Sequence, residues 1–543
     1  MSAEPADPAQ SIATRDATCR LNDGTELVAR LWFPSRGGPW PALVMRQPYG
    51  RSIASTVTYA HPRWWAEHGF LVVIQDVRGM GASSGVFRGF SQEASDGAAT
   101  LTWVRSLPEC NGRLGCYGFS YQGLTQLLCQ DDVPPPDCLA PAMAGLAERD
   151  HWSCDGEAQW WHLGLGWGLQ LAALEAQRRQ DHQVWLELRE SLEDNSYLRR
   201  GPELLRRHAP DGMARQWLEA DPKDQEAWTV HPVSERWLRQ PLLLLGGCWD
   251  PHLNGILDLW RRARAVGGQP DLHIGPATHL QWWPEAQMLM LRFFQRHLQD
   301  VDPGRPETQA LIWNLTDRCW TPIDPAPMPP SEPWTLQGNA LANLDPEIGV
   351  LSQGCQGCGS AVLVHDPWRP APAMGGHLGV QPGAADRQQL DARSDVVTFT
   401  SAPLRCRQTL SGQPQLTIRA SADQPGYDLC VALSRLPAGA TTVEQLSTGT
   451  LRIRGEGAKT STMQTVALQP FCASLNPDDR LRISIAAAAW PAIGVNSGTP
   501  DVPCGAPSPQ HRVVTMTLEL ADSALSLNPY SSGRLSSDTI QLP

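Results

Sequence analysis

The stretch Leu114-Gly-Cys-Tyr-Gly-Phe-Ser-Tyr-Gln-Gly123 indicates the fold more directly than any other part of the chain. A short apolar run, Leu114–Tyr117, leads through a sharp turn at Ser120 into a helical run that begins at Gly123. A strand, a turn and a helix in this order expose the serine hydroxyl at the end of a sheet. Gly118 and Gly123 supply the missing side chains that a strained, closely packed turn requires. Taken alone, the stretch fits an ordinary glycine-flanked turn equally well.

Similar apolar runs surround this stretch and predict a parallel sheet. Pro41–Met45 and Phe70–Gln75 precede it, and Pro241–Gly246 and Pro270–Gly275 follow it. Their continuous apolar character is typical of strands covered on both faces. Helical spacing occurs between the runs, and strands that alternate with helices indicate an α/β fold.

The order of these patterns predicts a chain of three parts. An α/β core is expected over residues 1–142 and 236–340. Between its halves, residues 143–235 show only helical spacing and predict a cap over the sheet edge where such folds place their sites. After a proline-rich stretch, residues 341–543 show short alternating runs separated by turns, the pattern of an antiparallel β-sandwich or jelly roll.

Composition excludes several classes of function. The chain of 543 residues has 44 Lys+Arg against 56 Asp+Glu, a net charge of −12, which argues against nucleic acid or an anionic membrane as partner. Its only lysines are Lys223 and Lys459. Neither completes a phosphate-binding loop, and lysine-based covalent catalysis would have to use one of them.

Localisation and cysteine usage point to a cytoplasmic protein. No run approaches the length of a membrane span, and the N-terminus has no signal-peptide pattern. The 14 cysteines are scattered and are expected to be mostly buried thiols. Cys355 and Cys358 form a single CxxC, which is a weak metal signal and more typical of a glycine-rich turn.

Two serines compete for the role of nucleophile. Gly81–Gly85 is a literal G-x-S-x-G match around Ser83. No helix follows it, so a surface loop is expected there, and Ser120 is the better candidate. Asp76 and Arg78, directly after a strand, are expected to pair or to brace the loop that holds Ser83.

An acid and a histidine should follow the serine, each at the end of a strand. Asp250 follows the run at 242–245, and His279 follows the run at 272–274. Asp250 could instead cap the segment after it. His273 lies inside a strand run and His252 lies two residues beyond the acid, so neither competitor has the placement of His279.

Several motifs occur in order along nearly the whole chain. They are Arg46-Gln-Pro-Tyr49, Gln75-Asp-Val-Arg-Gly79, Gly118-Phe-Ser-Tyr-Gln-Gly123, Trp249-Asp250 and Gly275-Pro-Ala-Thr-His279, followed by the β-rich segment. In these motifs the chain resembles the bacterial cocaine-esterase-like hydrolases. That group also contains Xaa-Pro dipeptidyl peptidases, α-amino-acid ester hydrolases and glutaryl-cephalosporin acylases. The resemblance implies an α/β-hydrolase core with an inserted helical cap and a C-terminal jelly roll.

The resemblance also implies a role for each matching residue. Ser120 would be the nucleophile, His279 the general base and then acid, and Asp250 the carboxylate that orients the histidine. The Tyr49 hydroxyl and the backbone N–H of Tyr121 would form the oxyanion hole. From its sequence context alone, Tyr49 is as well explained as a buried tyrosine after a proline turn. No cofactor or metal is implied.

Departures from the pattern bear on the substrate. The α-amino-acid ester hydrolases carry Glu and Asp two and three residues after the catalytic acid, where this chain has His252 and Leu253. We therefore expect a serine hydrolase that cleaves ester or amide bonds of acyl substrates. An Xaa-Pro dipeptidyl peptidase and an inactive binding protein are the alternatives. Small acyl esters or amides or short peptides are the expected partners, a homodimer is left open, and neither nucleic acid nor membrane is expected.

The cap carries the candidate pocket residues. Either some of Trp160, Trp161 and Trp167 line an apolar acyl pocket over Ser120, or these tryptophans form the core of the cap. Asp155 and Glu157 either meet a cationic group or lie in the first turn of a helix, where acids suit the helix dipole.

Overall fold

The computed structural model describes residues 12–53, 60–128, 133–301, 309–323 and 332–530. The strands are β1 (Thr14–Arg20), β2 (Glu26–Trp32), β3 (Trp40–Gln47), β4 (Leu71–Asp76), β5 (Cys110–Phe119), β6 (Cys138–Ala142), β7 (Cys154–Asp155), β8 (Ala158–Gln159), β9 (Leu243–Trp249), β10 (Asp271–Thr278), β11 (Ala310–Asn314), β12 (Cys319–Pro322), β13 (Thr335–Gly338), β14 (Val350–Ser352), β15 (Cys358–His365), β16 (Val396–Ser401), β17 (Gln408–Ala422), β18 (Gly426–Leu436), β19 (Glu444–Arg454), β20 (Thr462–Ala467), β21 (Phe471–Leu475), β22 (Arg480–Ala486) and β23 (Val514–Asn528). The α-helices are α1 (Pro62–Glu67), α2 (Glu93–Ser106), α3 (Tyr121–Thr125), α4 (His162–Arg178), α5 (His182–Glu193), α6 (Tyr197–His208), α7 (Met213–Glu219), α8 (Glu235–Leu238), α9 (Leu253–Ala265), α10 (Ala286–Leu298) and α11 (Gln388–Asp391).

The first sheet has ten strands in the order β1-β2-β4-β3-β5-β6-β9-β10-β11-β12. Its seven inner strands, from β4 to β11, run parallel, and the outer pairs are antiparallel. The C-terminal ends of parallel strands meet at one edge of the sheet. The loops that leave β5, β9 and β10 therefore converge there.

Alternate residues of the inner strands face two different helical layers. Val73 belongs to the core cluster that contains Val104 of α2 and Ile256 of α9. Val72 belongs to the cluster that contains Phe294 of α10. Because both faces are covered, these strands are apolar throughout, which is why their runs stand out in the sequence.

The chain between β6 and β9 forms the cap. It contains the two-stranded β7–β8 hairpin and helices α4 to α7. The helix that follows Ser120 is shorter than the helical run in the sequence, because α3 ends at Thr125. Residues 129–132 lie outside the described residues.

A second sheet of eleven strands, β13 to β23, has its own core. It is mostly antiparallel, with parallel pairs at β13–β15 and β14–β16. The sheet already begins at Thr335, ahead of the division expected at residue 341, and β13 pairs with β14 beyond that division. The short segment Thr335–Gly338 lacks apolar alternation, so its sequence does not reveal the strand. Among the described residues, no helix is both long and apolar enough to span a membrane.

Candidate active site

Ser120 lies in the turn between β5 and α3. Its backbone has φ 57° and ψ −129°, a conformation that a non-glycine residue rarely adopts. A Cβ on Gly118 would lie 2.5 Å from Cβ of Gln122, and a Cβ on Gly123 would lie 2.7 Å from the carbonyl oxygen of Ala142. Both glycines are therefore required by the close packing of the turn, as the sequence predicts.

Asp250 and His279 follow the neighbouring strands β9 and β10. Nδ1 of His279 lies 2.7 Å from Oδ1 of Asp250. The acid is fully buried, and its Oδ2 accepts a hydrogen bond of 3.1 Å from the backbone N–H of His252. Because the carboxylate accepts at Nδ1, that nitrogen carries the proton, and Nε2 of His279 is left as an acceptor.

Ser120 and His279 line one cavity of about 410 Å³. The other lining residues are mostly aromatic or apolar: Tyr49, Phe119, Trp152, Trp160, His162, Leu163, Gly164, Gly166, Trp167, Gln170, Tyr197, His252 and Leu280. None of these described lining residues is Asp, Glu, Lys or Arg. The cavity therefore suits an uncharged, partly aromatic ligand.

The hydroxyl of Tyr49 lies beside Ser120. Nε1 of Trp167 donates a hydrogen bond of 3.1 Å to this hydroxyl oxygen, and the hydroxyl also hydrogen-bonds the side chain of Ser120. Burial raises the pKa of Tyr49 to about 12, against which both hydrogen bonds act. The phenol is therefore protonated at neutral pH and can donate.

Tyr121 opens helix α3 directly after Ser120, and its side chain points into the core. Its hydroxyl donates a hydrogen bond of 2.7 Å to Glu93, which pairs with Arg46 at 2.8 Å. Burial raises the pKa of Glu93, against the opposing effect of Arg46. This buried group holds Tyr121 in place, so that its backbone N–H starts the helix at the turn.

Two of the three candidate pocket tryptophans line the cavity. Trp160 and Trp167 do so, and Trp152 joins them. Trp161 does not line it and follows the alternative, the cap core: its side chain packs beside Trp490, and its Nε1 donates to the carbonyl oxygen of Leu198. Trp160 and Trp161 lie on opposite sides because the chain is not yet helical there; α4 begins at His162.

Two acids that were expected either near a cationic ligand group or in the first turn of a helix lie in neither place. Asp155 and Glu157 belong to the β7–β8 hairpin, and neither lines the cavity. The Asp155 carboxylate accepts hydrogen bonds of 3.1 Å from the backbone N–H and the hydroxyl of Thr450. It therefore joins the cap to the second sheet.

The loop around Ser83 is expected at the surface, but the serine itself is buried. Ser83 is fully buried, and its hydroxyl donates a hydrogen bond of 2.7 Å to the carbonyl oxygen of Asp76. Asp76 pairs with Arg51, and Arg78 pairs with Asp96. Asp76 and Arg78 thus brace the loop through these other partners. Ser83 does not line the cavity.

His252, which the sequence offers only as a weaker competitor for the base, belongs to the site. It lines the cavity, and its ring centroid lies 4.8 Å from that of His279. Its position two residues after the acid was the available signal. His273 lies in β10 against Trp320, outside the cavity.

Ligating atoms of Asp250, His252 and His279 lie within 4.8 Å of one another. Hydrogen bonds between these residues already engage both carboxylate oxygens. Cys355 and Cys358 are exposed and belong to no described cluster of three ligating side chains.

Comparison with known proteins identifies the family. The model of the X-Pro dipeptidyl-peptidase (S15 family) matches residues 23–281, and that of the X-Pro dipeptidyl-peptidase C-terminal non-catalytic domain matches residues 335–525. Cocaine esterase from Rhodococcus sp. (strain MB1 Bresler) is 28% identical over 429 residues, which cover 71% of this chain and 73% of the esterase. The chain belongs to the cocaine-esterase-like, X-Pro dipeptidyl-peptidase (S15) family of serine hydrolases.

Solved structures share the whole architecture. An aminopeptidase from a marine sediment Thaumarchaeota archaeon matches with a TM-score of 0.72 at 18% identity, over 97% of this chain and 98% of the other. An α-amino-acid ester hydrolase matches with a TM-score of 0.66 at 18% identity, over the same shares. The predicted fold class, an α/β-hydrolase core with an inserted cap and a C-terminal jelly-roll domain, is confirmed.

Proposed function

We propose that this S15-family hydrolase cleaves esters, and more slowly amides, of uncharged acyl substrates through an acyl-enzyme on Ser120. The observation that carries the proposal is the 2.7 Å contact between His279 and Asp250, with His279 and Ser120 lining one aromatic cavity. A serine hydroxyl is a weak nucleophile until a base accepts its proton.

The reaction has two halves. Nε2 of His279 takes the proton from Ser120 as Oγ attacks the scissile carbonyl, and Asp250 stabilises the imidazolium that forms. His279 then gives the proton to the departing alcohol, which leaves the acyl group on Ser120. Water, deprotonated by His279, attacks this ester, and His279 returns the proton to Oγ of Ser120 as the acid is released.

Two donors face the oxygen that becomes negative. We assign these roles to the Tyr49 hydroxyl and the backbone N–H of Tyr121. Because the oxygen of Tyr49 accepts a hydrogen bond from Trp167, its own proton is free to donate. Loss of one such donor costs about 10²–10³ in kcat.

The cavity favours esters over Xaa-Pro peptides. A dipeptidyl peptidase that cleaves after Xaa-Pro must hold the substrate's ammonium group, and an ammonium in an apolar site requires a counter-charge. The described lining residues include no carboxylate; Asp250 is buried behind His279 and is already engaged. The aromatic walls fit phenyl-bearing acyl or alcohol groups.

Turnover of two substrate classes tests this proposal. We expect kcat/KM for phenyl esters such as phenyl phenylacetate to exceed that for Ala-Pro-p-nitroanilide by more than about 100-fold, the factor that a binding difference of ~3 kcal/mol gives. Ser120→Ala should abolish ester turnover. Faster cleavage of the anilide would favour the dipeptidyl peptidase, and no turnover of either would favour an inactive binding protein.

A further inference from the structure

His252 is locked to the catalytic acid. It precedes helix α9, it is only 4% exposed, and its backbone N–H donates a 3.1 Å hydrogen bond to Oδ2 of Asp250. Its ring lies against the ring of His279, with 4.8 Å between the centroids. The ring is therefore fixed relative to the reacting atoms.

A backbone carbonyl sets the tautomer of His252. Nδ1 lies 2.6 Å from the carbonyl oxygen of His151. A carbonyl oxygen can only accept, so Nδ1 carries the proton and Nε2 of the neutral ring is an acceptor. Burial lowers the pKa of His252 to about 4, so the ring is neutral at neutral pH.

The acceptor belongs to an otherwise apolar wall. The ring of His252 packs against Trp152 and Trp160, with centroids 4.5 and 5.6 Å away. The carbonyl group of His151 engages Nδ1 of His252, and His151 does not line the cavity. The edge of the His252 ring that faces the cavity is therefore the one that carries Nε2. Within the described ranges no residue hydrogen-bonds this nitrogen. No described protein group supplies a donor to this acceptor, so a bound molecule that carries one can complete the hydrogen bond.

His162 repeats this arrangement in the same cavity. Its Nε2 lies 2.9 Å from the carbonyl oxygen of Leu378, so Nε2 carries the proton and Nδ1 is the acceptor. Burial lowers the pKa of His162 as well. The two histidines other than His279 thus give the cavity neutral acceptors rather than charges.

We propose that His252 determines specificity by accepting, through Nε2, a hydrogen bond from a hydroxyl or N–H group of the substrate next to the scissile carbonyl. The substrate class is then aromatic esters of α-hydroxy acids or of acids with an equivalent amide N–H. This inference rests on the proposed function, since the substrate must be bound at Ser120. Sites built around a substrate donor reject analogues that lack it more strongly than apolar pockets do.

Three phenyl esters test the inference. Phenyl mandelate carries the donor, its O-methyl ether is larger and lacks it, and phenyl phenylacetate is smaller and lacks it. In the wild type we expect kcat/KM for the mandelate to exceed both others at least tenfold. His252→Phe should reduce both ratios to about one, and His252→Gln, which keeps an acceptor oxygen, should retain part of the preference. His273→Phe, a buried histidine outside the cavity, is the matched control and should leave the ratios unchanged.

Equal rates for the three esters in the wild type would overturn the inference, even if His252→Phe does not fold. So would a preference that survives in both His252 variants. A purely structural role would lower all three rates together without changing their ratios. If no ester is hydrolysed and a fluorophosphonate does not label Ser120, the proposed function itself fails. Hydrolysis without preference removes only the specificity inference.

Discussion

Single residues in the site owe their chemistry to their immediate neighbours. Asp250 fixes the tautomer of His279, and Trp167 occupies the oxygen of Tyr49 so that the phenol proton can point elsewhere. With a pKa of about 12, Tyr49 keeps that proton at neutral pH. The proposed reaction therefore depends on the proton of this one hydroxyl.

Replacing Tyr49 by Phe tests the oxyanion role at this scale. We expect kcat for phenyl esters to fall about 10²–10³-fold with little change in KM, because the lost bond strengthens only in the transition state. Trp167→Phe, which removes the donor to Tyr49 but not the phenol, should lower kcat less. Steady-state kinetics of both variants decide the matter. A raised KM with unchanged kcat would assign Tyr49 to substrate binding instead.

The positions of site residues could be predicted where the residues directly follow a strand. Ser120, Asp250 and His279 all leave the carboxyl ends of apolar runs, so sequence order alone brings them to one edge. Trp152 could not be predicted in this way, because it lies in the cap and directly follows no sheet strand. His252 does lie in the loop after β9, but the same loop already supplies the acid.

At the scale of elements, the turn between β5 and α3 is the most constrained feature near the site. Gly123 packs against the backbone of β6, where a Cβ would lie 2.7 Å from the carbonyl oxygen of Ala142 and 2.9 Å from Cβ of Ala144. Backbone cannot yield as a flexible side chain does. The turn thus couples the position of Ser120 to the neighbouring strand.

Gly123→Ala should therefore destabilise the protein by about 1–3 kcal/mol, the usual cost of overpacking, and should lower kcat by displacing Ser120. Thermal unfolding and ester turnover measure the two effects. Gly457→Ala is the matched control, since a Cβ there meets nothing within 4 Å. An unchanged melting temperature and kcat in Gly123→Ala would contradict the close packing.

Whether a strand could be predicted from the sequence depends on how much of it is buried. The parallel strands are covered on both faces and appear as continuous apolar runs, so their existence could be predicted. Strand β13 has four residues and no alternation, so its sequence does not reveal it. The sequence does not separate Trp161 from Trp160, because helical spacing does not show where an irregular segment ends and α4 begins.

In the whole molecule, the β-rich domain contacts the site directly. The side-chain amide of Gln469 donates a 2.7 Å hydrogen bond to the carbonyl oxygen of Asp250, and Leu378 accepts from His162. The loop after β9 and the cavity wall are therefore held from the second sheet. The domain boundaries, the cytoplasmic location and a homodimer stay predictions.

Buried histidines make overall stability depend on pH. Burial lowers the pKa of His151, His162, His252 and His365 below the ordinary value of 6.5. The unfolded chain then binds more protons than the folded chain, so stability is complete above about pH 6.5 and declines as the pH falls. For His252, with a folded pKa of about 4, the loss reaches about 3 kcal/mol by pH 4.

We therefore expect the melting temperature to fall between pH 7 and pH 5, and to fall less in His252→Phe. Calorimetry of both proteins at several pH values measures the difference. A melting temperature that rises on acidification, or an equal pH dependence in the variant, would contradict the buried neutral state of His252.

Covalent labelling tests the central claim most directly. A fluorophosphonate should attach to the peptide that contains Ser120, as mass spectrometry can identify, and labelling should be lost in Ser120→Ala. Ser83→Ala, which removes the serine of the literal motif, should still be labelled wherever circular dichroism shows that it is folded. Labelling that persists in Ser120→Ala, or that is found on Ser83, would contradict the assignment of Ser120 as the nucleophile.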